Sequence, residues 1–139
     1  MKNQKELIDK ILEESKNIAV VGISKNIEKD SYKVALYLEN AGYNVIPVNP
    51  AVSEVLNKKC YPSLTEIPDD IQIDMVDIFR RFVAPIVDDA IEIGTKTIWM
   101  QDTIEDQESA KKASQKGIQV IMNNCTMREH KKRNNISDS

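Results

Sequence analysis

The sequence predicts an α/β domain built on a doubly wound, five-stranded parallel sheet with helices on both faces. Three observations predict it. Short continuous aliphatic runs, such as "IAVVG" and "DMVDIF", read as strands buried on both faces. Segments between them space their apolar residues at the helical period. Helix–Gly–strand junctions recur at Gly42, Gly94 and Gly117. With right-handed crossovers, this alternation makes the sheet Rossmann-like, and the expected strand order is 3-2-1-4-5.

Each element has its own justification. Residues 4–15, "QKELIDKILEES", place Leu7, Ile8, Ile11 and Leu12 on one helical face. Residues 18–22 are the first strand. Residues 31–42 return to helical spacing through Val34, Ala35, Leu38 and Ala41, with Asp30 or Ser31 as the expected cap. "YNVIPVNP" (43–50) is the second strand. Its interior Pro47 conflicts with a ladder, so its N–H position is expected to be unpaired or beside an irregularity. Residues 51–73 are irregular, with one helical turn expected at Leu64 to Ile67. Residues 74–79 are the third strand. A helix follows at 83–94, with proline in its first turn. Residues 96–101 and 118–123 are the fourth and fifth strands, separated by a helix at 105–117. "CTMREHKK" starts a short last helix. The expected organisation is one domain, 1–130, and a frayed tail, 131–139.

Composition narrows the function. Apolar residues make up 41% of the chain and aromatic residues 5%, so aliphatic side chains fill the core. No apolar run approaches the ~20 residues of a membrane span. The N-terminus carries no continuous apolar stretch of the secretory type. Two cysteines, Cys60 and Cys125, are too few for a disulfide framework, and a cytoplasmic location is expected. A net charge of -3 argues against a general nucleic-acid partner. Oligomeric state is left open.

In this architecture ligands bind beyond the carboxyl ends of the strands, near the switch point between the first and third strands. The loops delivered there are Gly22 to Asp30, Val48 to Pro50, Phe79 to Val83, Gln101 to Thr103 and Asn123 to Cys125. Gly22 lets the backbone turn tightly and approach a phosphate, beside a helix N-terminus. Ser24 and Ser31 add hydroxyls. Lys25, Lys29 and Lys33 add charge, and Ile23 and Tyr32 complete this part of the candidate site. The dinucleotide pattern G-x-G-x-x-G is absent, since Ser24 and Ile27 stand where its later glycines would fall. The acid that holds an adenine ribose in NAD enzymes is absent too: the second strand ends in "VNP", giving Asn49 and Pro50. That absence permits a phosphate on the ribose, as in coenzyme A or NADP. "FRRFV" then supplies Phe79, Arg80 and Arg81. The arginines suit phosphate; the bland alternative pairs them with Asp88 or Asp89.

Assembled in this order, "IAVVGIS", "AGYNVIPVNP", "CYPSLTEIP", "DMVDIFRR", "AIEIGTKTIWMQ" and "GIQVIMNNC" resemble the CoA-binding family of small single-domain proteins. That family is similar to the N-terminal CoA-binding domain of succinyl-CoA synthetase alpha subunits. The resemblance runs from about Ile18 to about His130. It implies a Rossmann-like domain that binds coenzyme A, with the nucleotide part at Gly22, Ser24, Asn49, Pro50, Phe79 and Arg80. The loop "DTIEDQ" brings Asp102, Glu105 and Asp106, which would repel an anion unless turned away.

No catalytic constellation is legible. His130, the one histidine, reads as a solvated helix-end residue, and no cysteine or carboxylate cluster has metal-ligand spacing. Asp77 reads as an anchor, and Asp88, Asp89 and Glu92 as a solvated helix face. Cys125 is expected to line the site and open the last helix; either the helix start favours its thiolate, or it is a small buried residue with no chemistry. The expected function is therefore non-catalytic binding of a small molecule, CoA or acyl-CoA. The alternatives are an NADP-type reductase, a CoA-dependent transferase acting with a partner chain, and a ligand-free interaction domain.

Overall fold

The computed structural model describes residues 4–136. Its elements run α1 (Gln4–Glu14), β1 (Asn17–Val21), α2 (Asp30–Asn40), β2 (Asn44–Val48), β3 (Glu54–Val55), β4 (Lys58–Lys59), a single 3-10 turn (Leu64–Glu66), β5 (Met75–Ile78), α3 (Ala84–Ile93), β6 (Thr97–Met100), α4 (Gln107–Gln115), β7 (Gln119–Ile121) and α5 (Thr126–Arg133). The main sheet has five parallel strands in the order β2-β1-β5-β6-β7. This is the doubly wound α/β fold the sequence predicts.

Strand alternation sends side chains to two cores. Ile18, Val20, Val45, Met75 and Trp99 meet α1 and α2 through Ile8, Ile11, Leu12, Val34 and Leu38. Ala19, Val21, Val48, Val76, Ile78 and Ile98 meet α3 and α4 through Val87, Ala90 and Ala113. A fully buried aliphatic side chain of this kind contributes about 1.5–3 kcal/mol.

The expected order 3-2-1-4-5 is corrected. Counting only the five main strands, the order is 2-1-3-4-5, so the second strand is an edge and not an interior strand. Pro47 gives the physical reason. The amide of Gly22 donates to the Val48 carbonyl at 2.9 Å, so Val48 faces β1. Pro47 therefore faces outward, where its missing N–H breaks no strand ladder. Its carbonyl instead accepts from Tyr61 N at 3.0 Å, as the chain returns along that edge.

Two further differences are local. The segment expected to be irregular contains a two-stranded hairpin, Glu54–Val55 with Lys58–Lys59. Its two-residue turn puts Leu56 and Asn57 at φ 57° and 59°, a type I′ geometry that leucine rarely adopts. The last helix runs to Arg133, three residues into the expected tail. Arg133 is held there by Glu13 at 3.0 Å. Residues 137–139 of that tail lie outside the described residues.

Candidate functional site

All five strands are parallel, so the five predicted loops gather at one edge of the sheet. β1 is followed directly by Gly22, whose φ of +89° suits glycine and is strained for any other residue. Gly22 also lies against Arg80: an added Cβ would sit 3.0 Å from Arg80 Cγ.

The loop after β1 is shaped by its own side chains. The Ser24 amide donates to Ser31 Oγ at 3.0 Å, and the Asn26 amide to Ser24 Oγ at 3.0 Å. Asn49 ties this loop to the end of β2. Its Nδ2 donates to the Ile23 carbonyl at 2.8 Å, and its Oδ1 accepts from the Ala51 amide at 2.9 Å. Both ends of the Asn49 amide are thus engaged within the protein. Neither Asp30 nor Ser31 caps α2, contrary to expectation: Lys29 is the cap residue and no side chain caps the helix. Ser31 instead braces the loop.

Two clefts open beside this loop, on opposite faces of the sheet. The first, about 450 Å³, lies on the α3 face and is lined by Pro50, Pro62, Arg80, Phe82, Pro85 and Asp89 among others. The second, about 430 Å³, lies on the α2 and α5 face and is lined by Lys33, Val34, Phe79, Gln101, Cys125 and Met127 among others. Arg81 borders both. Gly22, Ile23, Ser24, Lys25, Ser31, Tyr32 and Asn49 line neither; they build the loop junction. Ile23 is fully buried in the α2-side core, and Tyr32 packs against that core.

Charge is arranged around these clefts. Lys25, Lys29, Lys33, Arg80 and Arg81 have no ion-pair partner among the described residues, so the pairing of the arginines with Asp88 or Asp89 does not form. Asp88 pairs with Lys112 instead. Of the three acids that could repel an anion, Asp102 and Asp106 are engaged within the protein, whereas Glu105 is exposed and has no hydrogen-bond or ion-pair partner among the described residues. Asp102 receives a bidentate bond from Arg128, 2.8 Å at each oxygen, which holds its carboxyl below the usual carboxylate range. Asp106 caps α4 by accepting from the Ser109 amide.

Under the second cleft lies a buried polar knot. Gln101 Nε2 donates to Asp77 Oδ1 at 2.6 Å and to Thr126 Oγ1 at 2.9 Å, and the Thr126 hydroxyl donates to Asp77 Oδ2 at 3.0 Å. Asp77 is fully buried without a cation beside it. Desolvation pushes its carboxyl up to about 7, against the two hydrogen bonds that favour the charged form. The knot fixes the start of α5, and with it Cys125, to β5 and β6.

For Cys125 the structure favours the unreactive reading, and for His130 it corrects the expectation. Cys125 lines the cleft and precedes α5, but burial pushes its thiol above the ordinary range. Desolvation outweighs the helix terminus, so no thiolate is favoured. His130 is half-buried, not solvated. Its Nδ1 meets the Tyr37 hydroxyl at 2.8 Å, and burial lowers its pKa.

The match of residues 16–131 to the profile of a family described as "CoA binding domain" decides the family. The chain belongs to it. This CoA binding domain is 37% identical over 125 residues to an uncharacterized protein, YneT, of Bacillus subtilis (strain 168), covering 88% of this chain and 91% of that one. It superposes on a hypothetical protein from Pyrococcus horikoshii OT3 with a TM-score of 0.89 and 41% identity, covering 94% and 92% of the two chains. It is also 29% identical over 83 residues to the ADP-forming acetate–CoA ligase II of Archaeoglobus fulgidus. That match takes 58% of this chain but 12% of the ligase.

Sequence reasoning missed several lining residues of this CoA binding domain. Phe82 lies in an expected loop but carries no role in the sequence reading, Asp89 reads there as solvated, and Val34 as core. The spacing of Pro85 and Asp89, four apart on α3, was the available signal that both face one cleft.

Proposed function

We propose that this CoA binding domain is a non-catalytic holder of coenzyme A, free or acylated, with the nucleotide part at the loops after β1, β2 and β5. One observation carries the reading: five cations without acid partners among the described residues, Lys25, Lys29, Lys33, Arg80 and Arg81, stand around a glycine turn at the carboxyl edge. The protein is acidic overall, so this local cluster favours a polyanion. Coenzyme A supplies a pyrophosphate and a 3′-phosphate. No carboxylate closes the end of β2, and Asn49 holds the loops together without adding charge. The two clefts suit a long ligand with a charged middle. The second sets an apolar strip, Val34, Phe79, Cys125 and Met127, beside polar and charged groups such as Lys33, Gln101 and Asp102, a mixed lining suited to a pantetheine arm with its amides. His130, the one histidine, lines neither cleft, so it stands outside the site as drawn. No described helix is long and apolar enough to cross a membrane, and the reading places the domain in the cytoplasm.

A transferase working with a partner chain is the second reading, and the acetate–CoA ligase relative favours it. The test has two parts. Native mass spectrometry of protein purified from cells identifies a co-purified ligand and any acyl group. Calorimetry with CoA, NAD and NADP then ranks affinities. CoA is expected to bind most tightly and to raise the unfolding temperature. Binding of NADP alone would overturn the reading.

A further inference from the structure

We propose that Asp77 is a proton-coupled positioning residue for the ligand: protonating it turns the Gln101 amide over, so that the second cleft presents N–H donors in place of a carbonyl oxygen. This rests on the CoA reading above. Asp77 is 0% exposed, and the residues beside it on the two neighbouring strands, Val20 and Trp99, carry no charge. Among the described residues, Gln101 and Thr126 alone bond its carboxyl. Both hydrogens of the Gln101 amide are engaged in this knot, one on Asp77 Oδ1 at 2.6 Å and one on Thr126 Oγ1 at 2.9 Å. Gln101 Oε1 then has no partner among the described residues, on a side chain that lines the second cleft.

This pattern fits an ionised Asp77, since a carboxylate only accepts hydrogen bonds. A protonated Asp77 must also donate. The Thr126 hydroxyl already donates to Oδ2, and turning it away would leave its hydrogen without that acceptor inside the core. The Gln101 amide can accept without such a loss. Turned over, it receives the Asp77 proton on Oε1 and points Nε2 toward the cleft, while Thr126 keeps its bond to Oδ2. The floor of the cleft thus has two states. One sets a carbonyl oxygen above a buried negative charge; the other sets amide N–H groups above a neutral acid. An anionic ligand favours the second. Desolvation holds the Asp77 carboxyl up at about 7, so both states are within reach near neutrality. By linkage, the ligand raises the proton affinity of Asp77 as much as the proton raises the affinity for ligand. The charged and titratable groups around the same cleft are Asp30 and Lys33 from α2, Arg81 after β5, Asp102 paired with Arg128, and Cys125 at the start of α5.

Calorimetry follows CoA and dephospho-CoA from about pH 5.5 to about pH 8.5 on wild type and Asp77→Asn. The variant keeps every charged group around the cleft, so a difference between the two profiles belongs to Asp77. Dephospho-CoA lacks the terminal phosphate, whose own titration at about 6 adds to the profile of CoA. Wild type is expected to bind dephospho-CoA on the order of tenfold more tightly at the acid end than at the alkaline end. Near pH 7 it should take up a fraction of a proton per ligand, read from the dependence of the binding heat on the protonation enthalpy of the buffer. Asp77→Asn mimics the neutral acid, and should hold the acid-end affinity across the range without proton uptake. A side chain with a structural role alone would change affinity equally at every pH. Proton uptake is read on wild type, so the test stands even where the variant fails to fold. A flat wild-type profile without uptake, affinity that rises with pH, or the same profile in both proteins overturns the coupling and leaves the CoA reading intact. Binding of neither ligand at any pH overturns that reading and this inference with it.

Discussion

Arg80 lies across Gly22, with Arg80 Cγ 3.0 Å and Cδ 3.4 Å from the place a Cβ on Gly22 would take. The glycine therefore serves twice. It supplies a left-handed turn at the end of β1, and it clears the ground on which the aliphatic stem of a candidate phosphate ligand rests.

Gly22→Ala should fold, because Arg80 is an exposed, flexible side chain that can give way. The positive φ costs about 1–2 kcal/mol for any other residue, and the displaced arginine should weaken CoA several-fold. Urea unfolding measures the first effect and calorimetry the second. Unchanged CoA affinity would show that the ligand does not use this turn.

Arg80→Ala should weaken CoA more than dephospho-CoA, by an extra 1–3 kcal/mol or roughly that order, if its guanidinium meets the 3′-phosphate. Equal losses would move Arg80 to the pyrophosphate. No loss for either ligand would leave it a surface residue.

Asp77 predicts an unusual pH dependence. Its folded-state pKa is raised to about 7, above the ordinary carboxylate value of the unfolded chain. The folded state therefore binds the extra proton between those two values. Stability is greatest at the acid end of that window and declines as pH rises toward 7, by roughly 4 kcal/mol if the group acts alone. Asp77→Asn removes the charge and keeps a side chain able to bond Gln101 and Thr126. It should melt higher than wild type at pH 8, with the gap closing toward pH 5. Parallel melting curves across that range would show that Asp77 stays charged throughout.

Cys125 should react slowly. Its thiol is buried and its pKa is raised, so iodoacetamide at pH 7 should label it more slowly than an exposed cysteine in a peptide. CoA, if it fills the second cleft, should slow labelling further. Labelling faster than the peptide would mean that the start of α5 overrides burial.

The fold class was legible because aliphatic runs and helical spacing alternate without ambiguity. Strand order was not, since the same alternation feeds either arrangement. They differ only in which side of β1 the chain chooses after β2. Pro47 held the answer: an interior second strand could not have tolerated it. Leu56 hid the hairpin, because its turn conformation is foreign to leucine and only Asn57 hinted at it. The basic run His130 to Arg133 reads as solvated tail until Tyr37 and Glu13, distant in sequence, are seen to hold it. The loops of the site were legible from their place after the strands. The lack of partners around Arg80 and Arg81 was not, because it depends on where Asp88 and Asp89 point.

The edge strand has a consequence for how this molecule behaves in a crowd. An open sheet normally ends in rows of free N–H and C=O groups that recruit strands from other chains and seed aggregates. Here Pro47 withholds one donor, and the returning chain occupies the neighbouring groups through Tyr61 N to Pro47 O and Asn49 N to Tyr61 O. The far edge, β7, has only three residues. Neither border therefore offers a long row of free groups on which a strand of another chain could template itself.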